Sequence, residues 1–263
     1  MDAVLALTAT TATSDLVPEV RAARLPVPIV AAVMDQVEGV RLLPGPDKDS
    51  PAVPAYAYPE SAARALGHAA RYGAWRATPP GSVPVLEGLR QDKARELVAS
   101  FLAGTPGGGW LPRGKTVELL GCYGVPLADS IAITIGGVEV KISVLQEQVF
   151  GPLILFGLAD AAADVLADRA ARLAPLTESD ADNLIRSVRA APLLLGRSGV
   201  PAADLASLRG MLLRVSQMAD DLAQVAELEL SPVVARSDGA LAVGAQIRIQ
   251  AAEPADAYLR QLR

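Results

Sequence analysis

Glu227 and Glu229 stand two residues apart in the apolar run from Val225 to Val234, so a strand there carries both carboxylates on one side. Carboxylates held together in this way suit Mg²⁺, which takes oxygen ligands. A second string, Gly109-Trp110-Leu111-Pro112-Arg113-Gly114-Lys115-Thr116, fits G-x-x-x-x-G-K-[ST], in which free backbone N–H groups and a lysine cradle phosphates. That chemistry needs a buried strand leading in and a long helix leading out. Here a helical pattern leads in, Pro112 removes a donor, and Gly121 soon stops the outgoing helix. The plainer reading is a loop that caps a helix, and Lys115 carries the alternative of a nucleotide binder. Asp160, Asp164 and Asp168 recur at helical spacing beside Arg169 and Arg172, the pattern of a solvated, salt-bridged helix face. His68 has no second histidine to work with and reads as an ordinary helix residue. Cys122, in an apolar setting, reads as a buried structural thiol.

Composition narrows the chemistry further. The 263 residues are 51% hydrophobic but only 4% aromatic, so the core rests on Ala, Leu and Val. A formal charge of −5 gives no basic footprint for nucleic acid or anionic lipid. One cysteine and one histidine exclude an internal disulfide and a Cys/His zinc site. The first residues carry an acid where a signal peptide would be basic, and no apolar run is long enough to span a bilayer. These features point to a cytoplasmic protein without nucleic acid or membrane partners.

The elements that must position such residues fall into two α/β pieces. In residues 1–76, strands at Asp2–Leu7, Pro28–Met34 and Val53–Tyr58 alternate with helices from Ser14 to Ala23 and from Pro59 to Trp75. Ala63, Leu66, Ala70 and Ala74 lie at helical spacing, and Leu43–Pro54 reads as a loop. Short continuous apolar strands separated by helices indicate a parallel sheet. Residues 77–87 read as a flexible Pro/Gly linker. Residues 88–263 begin with helices over Leu89–Ala103 and Lys115–Leu120, followed by strands at Val138–Leu145 and Leu153–Leu158. A capping box at Thr177–Asp180 precedes a helix to Arg189. A helix over Pro201–Asp221 carries Leu205, Leu208, Leu212 and Val215 on one face. Strands at Val225–Val234 and Leu241–Ile249 are joined by a turn at Ser237-Asp238-Gly239.

Taken together, these segments resemble a known family. Pro28–Met34 and Val53–Leu66 are similar to the end of the second flavodoxin-like subdomain of NDP-forming acyl-CoA (acetate–CoA) synthetases, relatives of succinyl-CoA ligase. Leu119-Leu-Gly-Cys-Tyr-Gly-Val-Pro126 resembles the start of their ATP-grasp module. Gly137–Glu139, Phe150–Pro152, Phe156–Leu158, Leu166–Asp168, Arg172–Leu176, Leu195–Arg197, Pro201–Leu208 and Glu227–Pro232 continue it in the family's order.

The resemblance implies a partial flavodoxin-like parallel sheet followed by a truncated ATP-grasp domain. It assigns Glu139, Gly151 and Gly157 to cofactor binding and Glu229 to metal. The departures matter as much. Ala128–Thr134 runs almost directly into Gly136-Gly137, so the nucleotide-binding lobe, with its phosphate-contacting lysine and histidine loop, is absent. The family's Gly-Leu-Gly-Gly turn reads Gly157-Leu158-Ala159-Asp160. Its metal-binding acid-x-Asn-Pro strand reads Glu229-Leu230-Ser231-Pro232, and its second metal aspartate falls at Gly244. Phosphoryl transfer is mostly positioning and charge neutralisation. The implied chain is therefore a degenerate acyl-CoA synthetase-like protein, non-catalytic alone, with a binding or assembly role and no cofactor of its own. The alternatives are a subunit of a split ligase that uses ATP/Mg and CoA once a partner completes it, and the Lys115 nucleotide binder. Loss of the lobe should expose Val149, Phe150 and Phe156 and favour homo- or hetero-oligomers.

Overall fold

The computed structural model describes residues 3–9, 16–23, 25–34, 36–48, 50–77, 79, 81–128, 136–147, 149–159, 167–197, 199 and 201–252. The chain divides into two compact units, residues 1–80 and 81–263. Among the described residues no helix is long and apolar enough to cross a membrane.

The first unit contains β1 (Val4–Ala9), α1 (Val17–Ala22), β2 (Ile29–Met34), β3 (Val40–Leu43), β4 (Val53–Tyr56) and α2 (Pro59–Ala77). The sheet order is β1-β2-β4-β3, with β1, β2 and β4 parallel and β3 antiparallel to β4. The run IVAAVM of β2 is uncharged because that strand is covered on both faces, while VLALTA of β1 is only partly covered. Ala31, Val33, Val53 and Ala55 pack with Val17 and Val20 of α1, while Val30 and Ala32 pack with Ala62 and Leu66 of α2. Three expectations change. Strand β3 precedes the loop, which starts at Pro44. Ala63, Ala70 and Ala74 are exposed, and Ala62 is the buried residue of α2, because α2 meets the sheet only through its first turns. The helix start foreseen at Ser14 and Asp15 lies outside the described residues.

The second unit opens with α3 (Gln91–Gly104), β5 (Gly109–Trp110) and α4 (Arg113–Cys122). Then come β6 (Val138–Glu147), β7 (Gly151–Leu158), β8 (Arg169–Leu173), α5 (Glu178–Ser187), α6 (Ala191–Leu194) and α7 (Leu205–Asp221). The chain closes with β9 (Val225–Arg236), β10 (Gly239–Ala242) and β11 (Ala245–Ile249). The sheet runs β5-β11-β9-β6-β7-β8, with β10 also on β9, and the pairings are antiparallel. The strand expected over Leu241–Ile249 is two strands. β10 and β11 pair in turn with the two halves of β9, and the break falls opposite Pro232, which has no N–H for the ladder. On the other side of β9 the β6 register also shifts between Val140 and Ile142.

Helices cover one face of this sheet. Leu208, Met211, Leu212, Val215 and Met218 of α7 are buried in one core with Val140, Ile142, Val144, Ile154, Phe156, Leu228 and Leu230 of the strands. Each such side chain contributes about 1.5–3 kcal/mol when fully removed from water. The starts of α5 and α7 are capped by side chains. Thr177 Oγ1 accepts from Asp180 N at 3.1 Å and Asp180 Oδ2 accepts from Thr177 N at 3.1 Å, completing the expected capping box. Helix α7 begins later than foreseen, because Asp204 accepts from Ala206 N and Ser207 N and sets the cap there. Of the stretch 77–87, Ala77 closes α2, and Val83, Pro84 and Leu86 line a slit with Leu176, Leu213 and Ser216. A polar cluster ties α3, α4 and α7 together: Asp221 Oδ2 accepts from Tyr123 Oη at 3.0 Å and from Gln91 Nε2 at 2.7 Å. Burial and then the Asp221 carboxylate push the Tyr123 phenol far above its ordinary range.

Candidate functional site

Strand alternation builds the candidate site. In β6, Val138, Val140, Ile142 and Val144 are buried on the helix side. Lys141, Ser143 and Leu145 therefore point to the opposite face. In β9, Leu228 and Leu230 are buried, which sends Glu227 and Glu229 the same way. Register aligns the rows: Glu229 lies between Gln246 of β11 and Ser143 of β6, and Glu227 between Arg248 and Leu145. The result is an open cleft of about 260 Å³, lined by Lys141, Ser143, Leu145, Glu227, Glu229 and Gln246 with Trp110, Leu155, Gly157 and Arg169.

Glu227 and Glu229 each already have a cation. Lys141 Nζ lies 2.8 Å from Glu229 Oε2, and Arg248 Nε donates to Glu227 Oε1 at 3.1 Å. The side chains of Lys141 and Glu229 are 33% and 47% exposed, so the pair is worth about 0–1 kcal/mol. Its consequence is electrostatic: an ammonium beside Glu229 Oε2 reduces the negative charge the carboxylate offers a divalent ion.

The other positions assigned by resemblance lie around it. A Cβ at Gly244 would stand 2.2 Å from the Ser231 carbonyl oxygen, and Ser231 N donates to Gly244 O at 3.0 Å. The backbone thus fills the space in which a side chain at 244 would start. Gly157 lines the cleft, and a Cβ there would meet Asp168 O at 2.8 Å, so strand β8 approaches only because residue 157 is glycine. Gly151, with φ +91°, turns the chain at the far end of β7, six residues from Gly157 or about 20 Å of strand. Glu139 is exposed on β6 and does not line the cleft. The structure brings together Glu229 and Gly157, with Ser231 and Gly244 adjoining each other, and leaves Glu139 and Gly151 apart from the cleft. Among the described residues no group of three His, Cys, Asp or Glu side chains is placed to hold a metal. Glu229, Ser231 and Gly244 do not fit Mg²⁺: one carboxylate is paired, one position offers a hydroxyl, and one has no side chain.

The remaining candidates fall elsewhere. Lys115 Nζ lies 5.9 Å from the centroid of the Phe101 ring. The Thr116 hydroxyl is buried and donates back to Pro112 O at 3.3 Å. The strand before α4 is only two residues long. This string therefore packs a helix start rather than forming a phosphate cradle. Asp168 is not on a helix. It follows Ala167, at φ 49°, and accepts from Arg189 N and Ala190 N at 2.6 and 3.0 Å, capping the turn before α6. Asp160 and Asp164 lie outside the described residues. Cys122 is buried, as expected, and His68 is exposed, with Nδ1 2.9 Å from an Arg71 nitrogen. Val149 and Phe150 are 48% and 51% exposed, as foreseen, but Phe156 is buried at 1% because its strand position faces the helices. The cationic partners Lys141 and Arg248 escaped the sequence reading. Their signal was the alternation of β6 and β11, which aims them at the face that carries Glu227 and Glu229.

Residues 130–249 match the model of the ATP-grasp domain family. The chain is similar in sequence to ADP-forming acetate–CoA ligases. It is 39% identical over 114 residues to the II subunit beta of Pyrococcus furiosus, covering 42% of this chain and 48% of the relative. It is 32% identical over 111 residues to the I subunit beta of the same organism, with the same shares. The chain thus spans about half the length of these curated relatives. The fold matches the dinucleotide forming acetyl-coenzyme A synthetase 1 of Ca. Korarchaeum cryptofilum at a TM-score of 0.55 and 21% identity, over 60% of this chain and 100% of that one. It matches a Pyrococcus horikoshii protein at 0.55 and 22%, over 62% and 100%.

Proposed function

We propose that this chain is an acyl-CoA-ligase-type ATP-grasp scaffold that performs no ligation alone and acts in binding or assembly, in the cytoplasm. The observation that carries the proposal is the Lys141–Glu229 pair beside a Gly244 whose side-chain space is filled by Ser231. An intramolecular cation pairs with the Glu229 carboxylate, and positions 231 and 244 add no second acid. Seven residues separate Ala128 from Gly136, too few for a nucleotide-binding lobe between them. Purified chain with ATP, Mg²⁺, CoA and acetate is expected to form no acyl-CoA above the protein-free rate. Turnover that disappears in Glu229→Gln overturns the proposal.

A second reading is a subunit of a split ligase, completed by a partner that brings the missing lobe and binds ATP/Mg and CoA. What favours it is that two relatives are named as beta subunits. Purification from the native cell separates the readings: a stoichiometric partner whose complex makes acyl-CoA supports the split enzyme.

A further inference from the structure

Glycine leaves a gap in the floor of the cleft, and two cations stand beside it. Register sets Lys141 of β6 opposite Gly157 of β7, and Gly157 opposite Arg169 of β8. Residues directly opposite across an antiparallel ladder point to the same side. Lys141 and Arg169, which both line the cleft, therefore rise on either side of a residue with no side chain. Two strand spacings put their Cα atoms about 10 Å apart. A Cβ at 157 would lie 3.4 Å from the Arg169 Cβ, so the arginine stem borders the gap directly. The carboxylates that line the cleft are engaged. Glu229 is paired with Lys141 and Glu227 with Arg248, and Asp168 accepts from Arg189 N and Ala190 N. The Arg169 guanidinium has no carboxylate partner among the described residues. The Lys141 ammonium keeps donors beyond the one it gives Glu229.

We propose that the cleft binds a small organic oxyanion, a phosphate monoester or a carboxylate, without a divalent cation. Its charged group sits over Gly157 between Lys141 and Arg169, and its apolar body lies on Leu155 and Leu145. The two side chains supply the countercharge that a metal would otherwise bring. The planar guanidinium fork matches two oxygens of either headgroup, and charge-assisted hydrogen bonds of this kind are the strong ones. Strand register continues the floor: Ser143 and Leu155 form the next row, and Leu145 lies one row further. A cavity of about 260 Å³ is near the small end of ligand sites, which fits a ligand of one ring rather than a large cofactor. This assignment deepens the binding role proposed above and rests on it, since it needs a cleft that works without a metal.

The test is calorimetric titration of the full chain with phenyl phosphate, benzoate and uncharged benzyl alcohol, in EDTA and again with Mg²⁺. At least one of the two anions is expected to bind in EDTA, and which one binds names the headgroup; benzyl alcohol should not bind. Arg169→Ala and Lys141→Met should each weaken binding about tenfold or more, with unchanged circular dichroism spectra. Arg172→Ala is the control. It lies on the same strand but opposite Ile154, which is buried on the helix side, and should bind like the parent. Binding of benzyl alcohol as tight as that of the anions, or equal affinity in the parent, Arg169→Ala and Lys141→Met, overturns the proposal. So does a chain that binds neither anion with or without Mg²⁺, although the reading of a scaffold that performs no ligation then stands. Anion binding that needs Mg²⁺ and disappears in Glu229→Gln overturns both.

Discussion

Lys141 Nζ stands 2.8 Å from Glu229 Oε2, across the ladder between β6 and β9, on the face of the sheet that the helices leave open. A carboxylate that would otherwise attract a hard cation is neutralised from within the chain. Replacing the lysine should cost little folding stability, since an exposed pair is worth about 0–1 kcal/mol. Lys141→Met, followed by urea denaturation, should leave the midpoint nearly unchanged. A loss of several kcal/mol would mean that the lysine supports the fold in a further way.

Gly244→Asp should not build a metal site. The new Cβ would meet Ser231 O at 2.2 Å, so the β10–β11 break must move. Overpacking of this kind costs roughly 1–3 kcal/mol. Thermal unfolding with and without Mg²⁺ checks both parts. A variant as stable as the parent and further stabilised by Mg²⁺ would contradict the geometry.

Two phenylalanines separate the core from the exposed β6–β7 turn. Phe156→Ala should cost about 3–5 kcal/mol, the range for deleting a buried aromatic. Phe150, 51% exposed at the β6–β7 turn, should cost under about 1 kcal/mol when changed to Ser. Equal losses at both positions, measured by denaturant unfolding, would put the β7 register in doubt.

Acid should loosen the start of α7. The Ser207 hydroxyl and backbone N–H groups hold the Asp204 carboxyl below the usual aspartate range. A depressed folded-state value gives stability that is full above the unfolded aspartate value of about 3.9 and is lost as pH falls through the lower folded value. The melting temperature of the parent should therefore fall more steeply below about pH 4 than that of Asp204→Asn. Parallel pH profiles would remove the cap's role.

Much of this was legible in the residues. The uncharged runs at β1 and β2 announced a parallel sheet, and Thr177 with Asp180 announced a capped helix. Alternation over Val138–Leu145 announced the half-buried strand β6. The break between β10 and β11 was hidden because Pro232 acts on a strand distant in sequence. The ion pairs were hidden for the same reason: Lys141 and Glu229 are 88 positions apart, and only strand order makes them neighbours. Strand β8 escaped because its arginines read as helix-face partners of Asp160 and Asp164.

The most direct test of the central claim is Mn²⁺ electron paramagnetic resonance on the purified chain, with and without ATP. The account predicts that the free Mn²⁺ signal is the same with the protein as in buffer, or as in ATP alone, at millimolar metal, and that Glu229→Gln changes nothing. One Mn²⁺ bound per chain, released in Glu229→Gln, would show that the cleft holds a divalent cation despite Lys141 and would contradict the account.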